Sequence, residues 1–375
     1  MRNLVCGGRK RWRSNGRKSV ILGRTFLGHF DMRNPYISFL QAFGILLVAV
    51  GHAFPTDGHD AGLYRWIYSF HMPLWIFLSG YLLRYTAAGS GCTASGSSLV
   101  DIPVGAFVAK KARRLLVPYF LISTLVFLPK VWLSRWAVKP VELSWGAYFE
   151  MLLVPSKNVI VYYWFLPTIF LLLVGTVLAA RGLRRLGVGD RVPLWGWALA
   201  TLALSVFNPL DGVGWLNLSG VVKSGFFFVL GIVYCAYQRE IDEGLALGSL
   251  WALAGWGATS VLATATGYGA VNPLAERLTA VCGILFALSL GRFYLRSGWR
   301  FLAPLDGATY AIFLFSWFPQ SALRVVLYDW AHLDPWIGVP VSTAAGVAVP
   351  WLVWRGLLWA KRWRVGRILA AGCGQ

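Results

Sequence analysis

Charged residues are scarce in this chain, and acidic residues are the scarcest of them. Only 13% of its 375 residues are charged, with 15 Asp and Glu against 35 Lys and Arg, whereas a soluble globular protein carries about a quarter. Hydrophobic residues make up 57%, and apolar runs of about 20 residues recur along the chain. This composition excludes an ordinary soluble protein and predicts an all-α integral membrane protein.

Cysteine is sparse and scattered. The five cysteines, spread from Cys6 to Cys373, show no paired spacing, which argues against a disulfide framework and against a metal site. The excess of basic over acidic residues would suit a nucleic-acid partner. The basic residues lie between the apolar runs, however, as they do in cytoplasmic loops of membrane proteins. We therefore expect neither a metal nor a nucleic-acid partner.

The apolar runs predict about ten transmembrane helices. If both termini are cytoplasmic, the inner segments hold 27 of the 35 basic residues, which is the asymmetry expected of inner loops. The sequence therefore predicts a bundle with its N- and C-termini in the cytoplasm. The ten segments lie at about 36–54, 64–83, 115–134, 160–180, 192–207, 220–238, 247–266, 275–293, 308–328 and 336–358.

Three regions follow from this pattern. Residues 1–31 are predicted to form a basic, disordered arm, because they contain no signal peptide pattern; a true start at Met32 is the alternative. Residues 32–360 form the polytopic membrane domain, and residues 361–375 a short basic cytoplasmic tail. No soluble domain is expected, so any chemistry must lie within the bundle or at its two faces.

His52 is the first candidate for chemistry. It lies near the C-terminal end of the run "SFLQAFGILLVAVGHAF", close to the predicted outer face. Imidazole has an unperturbed pKa close to neutrality, so it can act as an acid or a base without much tuning. The alternative is a structural histidine at a helix end, hydrogen-bonded to a carbonyl group.

His71 is the second candidate, in the run "FHMPLWIFLSGYLL". Pro73 is expected to kink this helix, and Ser79-Gly80 offers a small surface for close helix contact. A histidine in such a helix is either a hydrogen-bonded core residue or a catalytic group, and the residues alone favour the core residue.

Four cations form the third candidate, in the run "KKARRLLVPYF" just before the third apolar run. They either anchor the inner membrane surface through lipid phosphates or bind a phosphorylated cytoplasmic ligand, since Arg presents a planar fork suited to phosphate oxygens. The four residues are Lys110, Lys111, Arg113 and Arg114.

Five segments in this order resemble the membrane acyltransferase-3 family, and within it the fucose 4-O-acetylase-like branch. They are "GILLVAVGHAF", "FHMPLWIFLSGYL", "KKARRLLVPYF", "YYWFLPTIF" and "ATYAIFLFSWFP". The family has ten core helices, and its members usually move acetyl from acetyl-CoA to hydroxyls of sugars or other acceptors. The resemblance thus implies an O-acetyltransferase of the bacterial inner membrane that acts on an exopolysaccharide or lipid-linked sugar unit.

The resemblance also implies roles for particular residues. His52 matches the histidine regarded as catalytic, and Lys111 and Arg114 match a basic pair, normally two arginines, that handles the CoA donor. Their neighbours Lys110 and Arg113 belong to the same inner cluster. We expect His71 to orient His52 or the thioester.

Three positions depart from the family pattern. Gln41 stands where relatives usually carry Arg or Lys, Ser38 where an acid is common, and Ser316 where His is frequent. Because Ser38 and Gln41 are both neutral, this chain lacks both charges of the family's ion pair, and neither charge is left without a partner. Gln41 is expected to hydrogen-bond the amides of the pantetheine arm.

Two alternatives to a transferase remain open. A transporter or flippase for a lipid-linked or acidic solute would use the histidines as proton relays, and an inactive family member would act as a binding partner. The acceptor site is weakly specified, because several polar and aromatic residues lie near the predicted outer face: Asp57, His59, Asp60, Trp164, Lys223, Glu276 and Arg277.

Overall fold

A computed structural model describes residues 34–55, 62–87, 99–134, 142–187, 193–269 and 272–360. The predicted N-terminal arm (1–31), the C-terminal tail (361–375) and Met32 lie outside these ranges. No β-strand occurs in the described part of the chain. Its α-helices are α1 Pro35–Ala53, α2 Gly62–Ala87, α3 Val104–Ser134, α4 Trp145–Leu153, α5 Phe165–Arg185, α6 Leu194–Phe207, α7 Leu218–Ala236, α8 Gln238–Gly244, α9 Leu250–Gly267, α10 Pro273–Arg296, α11 Thr309–Phe315, α12 Trp317–Arg324 and α13 Pro335–Ala360.

Each of the ten predicted segments contains a helix in the structure, although the ninth is divided between α11 and α12. Within the described residues, six helices are long and apolar enough to cross a membrane, or up to seven if the bent α11–α12 pair counts as one span. The prediction of an all-helical membrane protein is therefore confirmed. Ten spans and the location of the termini stay predictions.

Large apolar side chains on the outside of the bundle support a membrane environment. Leu125 is 65% exposed, Trp251 86% and Trp336 82%. In water such surfaces would be open to association, whereas in lipid they match the surrounding hydrocarbon, since the backbone groups are satisfied within the helices.

The start of α3 corrects the start of the third predicted segment, 115–134. The helix begins at Val104, so the four cations are helical residues rather than loop residues before a span at 115. Two short helices, α4 and α8, were also not predicted. Both carry fewer than ten residues, too few for a membrane-length apolar pattern.

Helices α2 and α7 pack backbone against backbone. A Cβ atom added at Gly80 would lie 1.9 Å from the carbonyl oxygen of Phe228, and one added at Gly231 would lie 1.9 Å from that of Phe77. The expected small contact surface at Ser79-Gly80 is therefore present. Pro73 lies within α2, which stays one continuous helix across it. Cys235 on α7 is disulfide-bonded, which the scattered cysteine spacing had not indicated.

Helix α1 lies inside the bundle, in contact with α2, α10 and α13. Its first turn is tied to neighbouring helices by side chains. The hydroxyl of Tyr36 lies 3.0 Å from that of Tyr234, which donates to Asp242 at 2.6 Å. Asp242 forms an ion pair with Arg292, whose guanidinium lies over the Tyr36 ring. This network connects α1 with α7, α8 and α10.

The ninth predicted segment breaks at Ser316. Helices α11 and α12 are bent by 42°, and a π-helix, Val325–Trp330, follows α12. The segment runs alongside α1: Ile312 packs with Ile45, and Gln320 bonds to Ala49. The bend thus lies beside the half of α1 that leads to His52.

Candidate active site

A cavity of 370 Å³ lies at the C-terminal end of α1. Both predicted histidines line it, and Val48 and Arg324, 276 positions apart in sequence, meet there because α1, α2, α11 and α12 converge. Its polar and aromatic lining consists of His52, His71, Tyr64, Tyr68, Tyr162, Trp164, Phe313 and Arg324.

His52 lies in the last turn of α1 and is half-buried. Its ring is stacked on that of Tyr162, with centroids 3.5 Å apart, and its Nδ1 lies 3.2 Å from the Tyr68 hydroxyl. When Nδ1 carries the ring proton and donates to the Tyr68 oxygen, Nε2 keeps a lone pair for a substrate proton. The arrangement is therefore suited to general base catalysis.

Gly51, the residue before this histidine, has a steric role. A Cβ atom at Gly51 would lie 2.9 Å from the Tyr68 ring, closer than real side chains approach. The glycine therefore lets the Tyr68 ring approach α1 closely enough to reach His52. The Gly-His pair of the sequence motif thus has a steric basis in this structure.

His71 is almost fully buried, with 1% of its surface exposed. Its Nδ1 lies 2.9 Å from the carbonyl oxygen of Ile67; because a carbonyl can only accept, Nδ1 carries the proton and Nε2 keeps a lone pair. The Tyr68 ring contacts His71 edge to face at 4.7 Å. His71 is thus a hydrogen-bonded helix residue, as the residues alone favoured, and it also lines the cavity.

The aromatic wall of the cavity is held in place by the turn Val161–Trp164. The hydroxyl of Tyr163 donates to the carbonyl of Leu314 at 2.7 Å, and the amide of Ile160 donates to the Asn158 side chain at 2.8 Å. These bonds fix the turn against α11, so that Tyr162 and Trp164 line the cavity on either side of Tyr163.

Arg324 is one of the cavity residues that sequence reasoning missed, together with Tyr64 and Tyr68. Its Nη2 donates to the backbone carbonyl of His52 at 3.0 Å. Gln320 donates to the carbonyl of Ala49 at 2.7 Å, and Tyr328 to that of Ala53 at 3.0 Å. The carbonyls of His52 and Ala53 belong to the last turn of α1, which leaves them without helical partners, and Arg324 and Tyr328 satisfy them. Their spacing of four residues, within an apolar run, was the signal that could have found them.

The predicted cation cluster lies away from the cavity, on the first turns of α3. The guanidinium of Arg114 lies 5.4 Å from the Tyr310 ring, and the Tyr310 hydroxyl donates to the Arg114 carbonyl. Lys111 lies 5.3 Å from the Phe107 ring and is half-buried, whereas Lys110, Arg113 and Arg114 are exposed.

The position of Tyr310 shows where this cluster lies along α1. Tyr310 belongs to the first turn of α11, at the start of the segment that reaches His52 only at Arg324. The structure therefore brings the two histidines together and leaves the four cations toward the other end of α1.

Gln41 lies between these two sites. It is half-buried on α1, on the same face as His52, because eleven residues are about three helical turns and span about 16 Å. One turn earlier, the Ser38 hydroxyl donates to the carboxylate of Asp306 at 3.1 Å. A carboxylate thus lies beside Ser38, and sequence reasoning missed it.

The other residues that the sequence predicted near the outer face contribute little to the cavity. Trp164 lines it, but Lys223 pairs with Asp211 at 3.0 Å and Arg277 pairs with Glu276 at 2.9 Å, and none of these four is among its lining residues. The Lys223 ammonium holds the pKa of the Asp211 carboxyl below its usual range, through a hydrogen bond and charge attraction. Asp57, His59 and Asp60 lie outside the described residues.

No group of three or more His, Cys, Asp or Glu residues suited to a metal ion occurs within the described ranges. The long apolar helices and the cavity with its two histidines define a helical integral membrane protein with a candidate site for acid–base chemistry.

A family model described as an acyltransferase domain matches residues 34–355. This match includes both histidines, Gln41 and the four cations of α3. The chain therefore belongs to the membrane acyltransferase-3 family. No curated protein and no solved structure matches it significantly.

Proposed function

We propose that this acyltransferase is an O-acetyltransferase of the bacterial inner membrane. It moves acetyl from cytoplasmic acetyl-CoA to a sugar hydroxyl of an exopolysaccharide or lipid-linked sugar unit, as in the fucose 4-O-acetylase-like branch. The observation that carries the proposal is the position of His52, a half-buried imidazole bonded to Tyr68 in a cavity that also contains His71.

His52 acts as the general base in this proposal. It removes the proton of the acceptor hydroxyl while the oxygen attacks the thioester carbonyl carbon, and it then returns the proton to the CoA sulfur as the carbon–sulfur bond breaks. Tyr68 holds the imidazole through Nδ1, so that Nε2 performs the proton transfer. His71 positions the reacting groups from the neighbouring wall of the cavity.

The cations of α3 bind the phosphates of the donor. Lys110, Lys111, Arg113 and Arg114 supply several charge-assisted hydrogen bonds to phosphate oxygens. They lie toward the other end of α1 from His52, a separation comparable with the extended pantetheine arm of CoA. Gln41, between the two sites, hydrogen-bonds an amide of that arm as a neutral donor and acceptor.

The acceptor enters the aromatic part of the cavity. Tyr64, Tyr68, Tyr162 and Trp164 line it, and flat aromatic rings suit the apolar faces of sugars. A volume of 370 Å³ lies within the range of small-molecule sites. This composition supports a carbohydrate acceptor over a bulky protein substrate.

Transfer of labelled acetyl from acetyl-CoA, in membranes that contain the full chain, tests the proposal. The wild type is expected to label a carbohydrate fraction, and His52→Ala to reduce labelling by about 100-fold or more, the usual contribution of general base catalysis. Equal labelling by His52→Ala would exclude His52 as the base. Absence of labelling by the wild type, together with uptake of a solute, would support a transporter instead.

A further inference from the structure

Arg324 carries a positive charge into the cavity without a carboxylate partner. Its guanidinium lines the cavity beside His52, and no Asp or Glu among the described residues forms an ion pair with it. Its Nη2 bonds to the His52 carbonyl, and its Nε is buried with no hydrogen-bond partner in the described structure. The side chain thus uses one of its five N–H donors on α1.

Capping α1 does not require a charge at this position. The neighbouring carbonyl of Ala53 is capped by a neutral side chain, Tyr328, and the Ala49 carbonyl one turn earlier accepts from the neutral Gln320. A cation within the apolar region costs free energy, so ionisable residues there are usually tied to function. A neutral side chain would satisfy the His52 carbonyl as well. The charge of Arg324 therefore indicates that its guanidinium binds a second group besides this carbonyl.

We propose that Arg324 binds the carbonyl oxygen of the donor thioester and stabilises the negative charge that this oxygen acquires in the transition state. This inference rests on the function proposed above and adds a second catalytic residue to His52. The position of Arg324 beside His52 suits this role. The group that stabilises the oxygen and the base that activates the nucleophile must line the same cavity.

The step balances as follows. His52 takes the proton of the acceptor hydroxyl, and the hydroxyl oxygen forms a bond to the thioester carbon. The electron pair of the carbonyl double bond moves to its oxygen, where N–H groups of Arg324 donate to it. When the double bond forms again, the carbon–sulfur bond breaks, and the thiolate takes the proton from the imidazolium of His52. The ester, free CoA and neutral His52 remain.

Two other roles for Arg324 make different predictions. If it only holds the end of α1, then removing another cap of α1 should slow the reaction to the same extent. If it binds an acidic group on the acceptor, then its loss should raise the KM for the acceptor and leave hydrolysis of acetyl-CoA without acceptor unchanged. A role on the thioester oxygen predicts that transfer and hydrolysis slow together.

The experiment compares Arg324→Gln, Arg324→Lys and the matched control Tyr328→Phe in the purified full chain. The control removes a cap of α1 but lies outside the cavity lining. For Arg324→Gln we expect kcat for acetyl transfer and the rate of acetyl-CoA hydrolysis to fall together by about 100-fold, the usual cost of losing one such donor. The KM for acetyl-CoA should change less than about threefold. Arg324→Lys should lose about tenfold, because it keeps the charge without the planar fork.

Tyr328→Phe should retain at least about half of the wild-type kcat. The proposal is overturned by wild-type kcat in Arg324→Gln, by an equal loss in Tyr328→Phe, or by a change confined to the KM of the acceptor. Elution as a single species shows that a variant is folded. If Arg324→Gln fails this test, wild-type kcat in Arg324→Lys overturns the proposal. A wild type that transfers no acetyl refutes the proposed function itself, whereas an active wild type with unaffected Arg324 variants refutes this inference alone.

Discussion

The hydroxyl of Tyr68 lies 3.2 Å from Nδ1 of His52, so a residue of α2 sets the orientation of the imidazole on α1. Tyr68→Phe removes this hydrogen bond and keeps the ring that stacks on Tyr64 at 4.0 Å. A net hydrogen bond is worth about 1 kcal/mol, so we expect about a fivefold fall in kcat for acetyl transfer.

The matched control is Tyr148→Phe, which removes an exposed hydroxyl bonded to Thr124. It should transfer acetyl at the wild-type rate. Equal rates for Tyr68→Phe and the wild type would show that this bond does not orient His52.

Two substitutions at His71 separate orientation from proton transfer. Asn places its amide near the position of Nδ1, where it can still donate to Ile67, whereas Gln reaches toward the position of Nε2. If His71 orients a reacting group through a hydrogen bond, His71→Gln should retain more activity than His71→Asn, which we expect to lose about tenfold. Initial rates at saturating acetyl-CoA measure this difference. Loss of activity in both variants to the level of His52→Ala would instead indicate that His71 transfers a proton.

The cations of α3 should affect the affinity for the donor rather than the chemistry. We expect Lys111→Ala and Arg114→Ala to raise the KM for acetyl-CoA about tenfold each, because each removes a charge-assisted bond to phosphate. Their rates with acetyl-pantetheine, which lacks the nucleotide and its phosphates, should match the wild type.

An exposed lysine provides the control for these two variants. Lys157 pairs with Glu150 on the surface. Lys157→Ala should therefore leave the KM for acetyl-CoA and the rate with acetyl-pantetheine unchanged. A lower rate with acetyl-pantetheine in Lys111→Ala or Arg114→Ala would show that the cluster supports the fold or the chemistry instead.

The contact between α2 and α7 predicts a steep loss of stability. Gly80→Ala would place a Cβ atom 1.9 Å from the Phe228 carbonyl oxygen, so the helices must separate. We expect this to lower the free energy of unfolding by about 3 kcal/mol, the upper end for overpacking, and to reduce the melting temperature in detergent. Gly225→Ala, at a glycine of α7 with open space around it, should cause no loss. Equal melting temperatures for the two variants would contradict this packing.

The sequence predicted the helices well, since each long apolar run contains one. It failed where local signals were weak: α3 starts eleven residues before the predicted 115, because four cations interrupt the apolar pattern. The break at Ser316 also lay within a segment that the sequence predicted as one helix. Such boundaries depend on tertiary contacts that a one-dimensional pattern does not contain.

For the candidate site, the sequence pointed to residues but could not place them together. The motifs singled out His52 and His71, yet their meeting in one cavity depends on how α1 and α2 pack. The sequence did not single out Arg324, because nothing within its own segment links it to His52. The contact joins residues 272 positions apart, and only the fold creates it.

The late position of Arg324 in the chain has a consequence for synthesis. Helix α1 precedes the other described helices in the chain, but the carbonyls of His52 and Ala53 receive their side-chain partners only when residues 324–328 have followed. At about 5–20 residues per second this delay is on the order of tens of seconds. During that time the histidine-bearing end of α1 must satisfy its carbonyls with water or other partners. With Arg324 in the role proposed above, we expect acetyl transfer only after nearly all of the chain has been inserted.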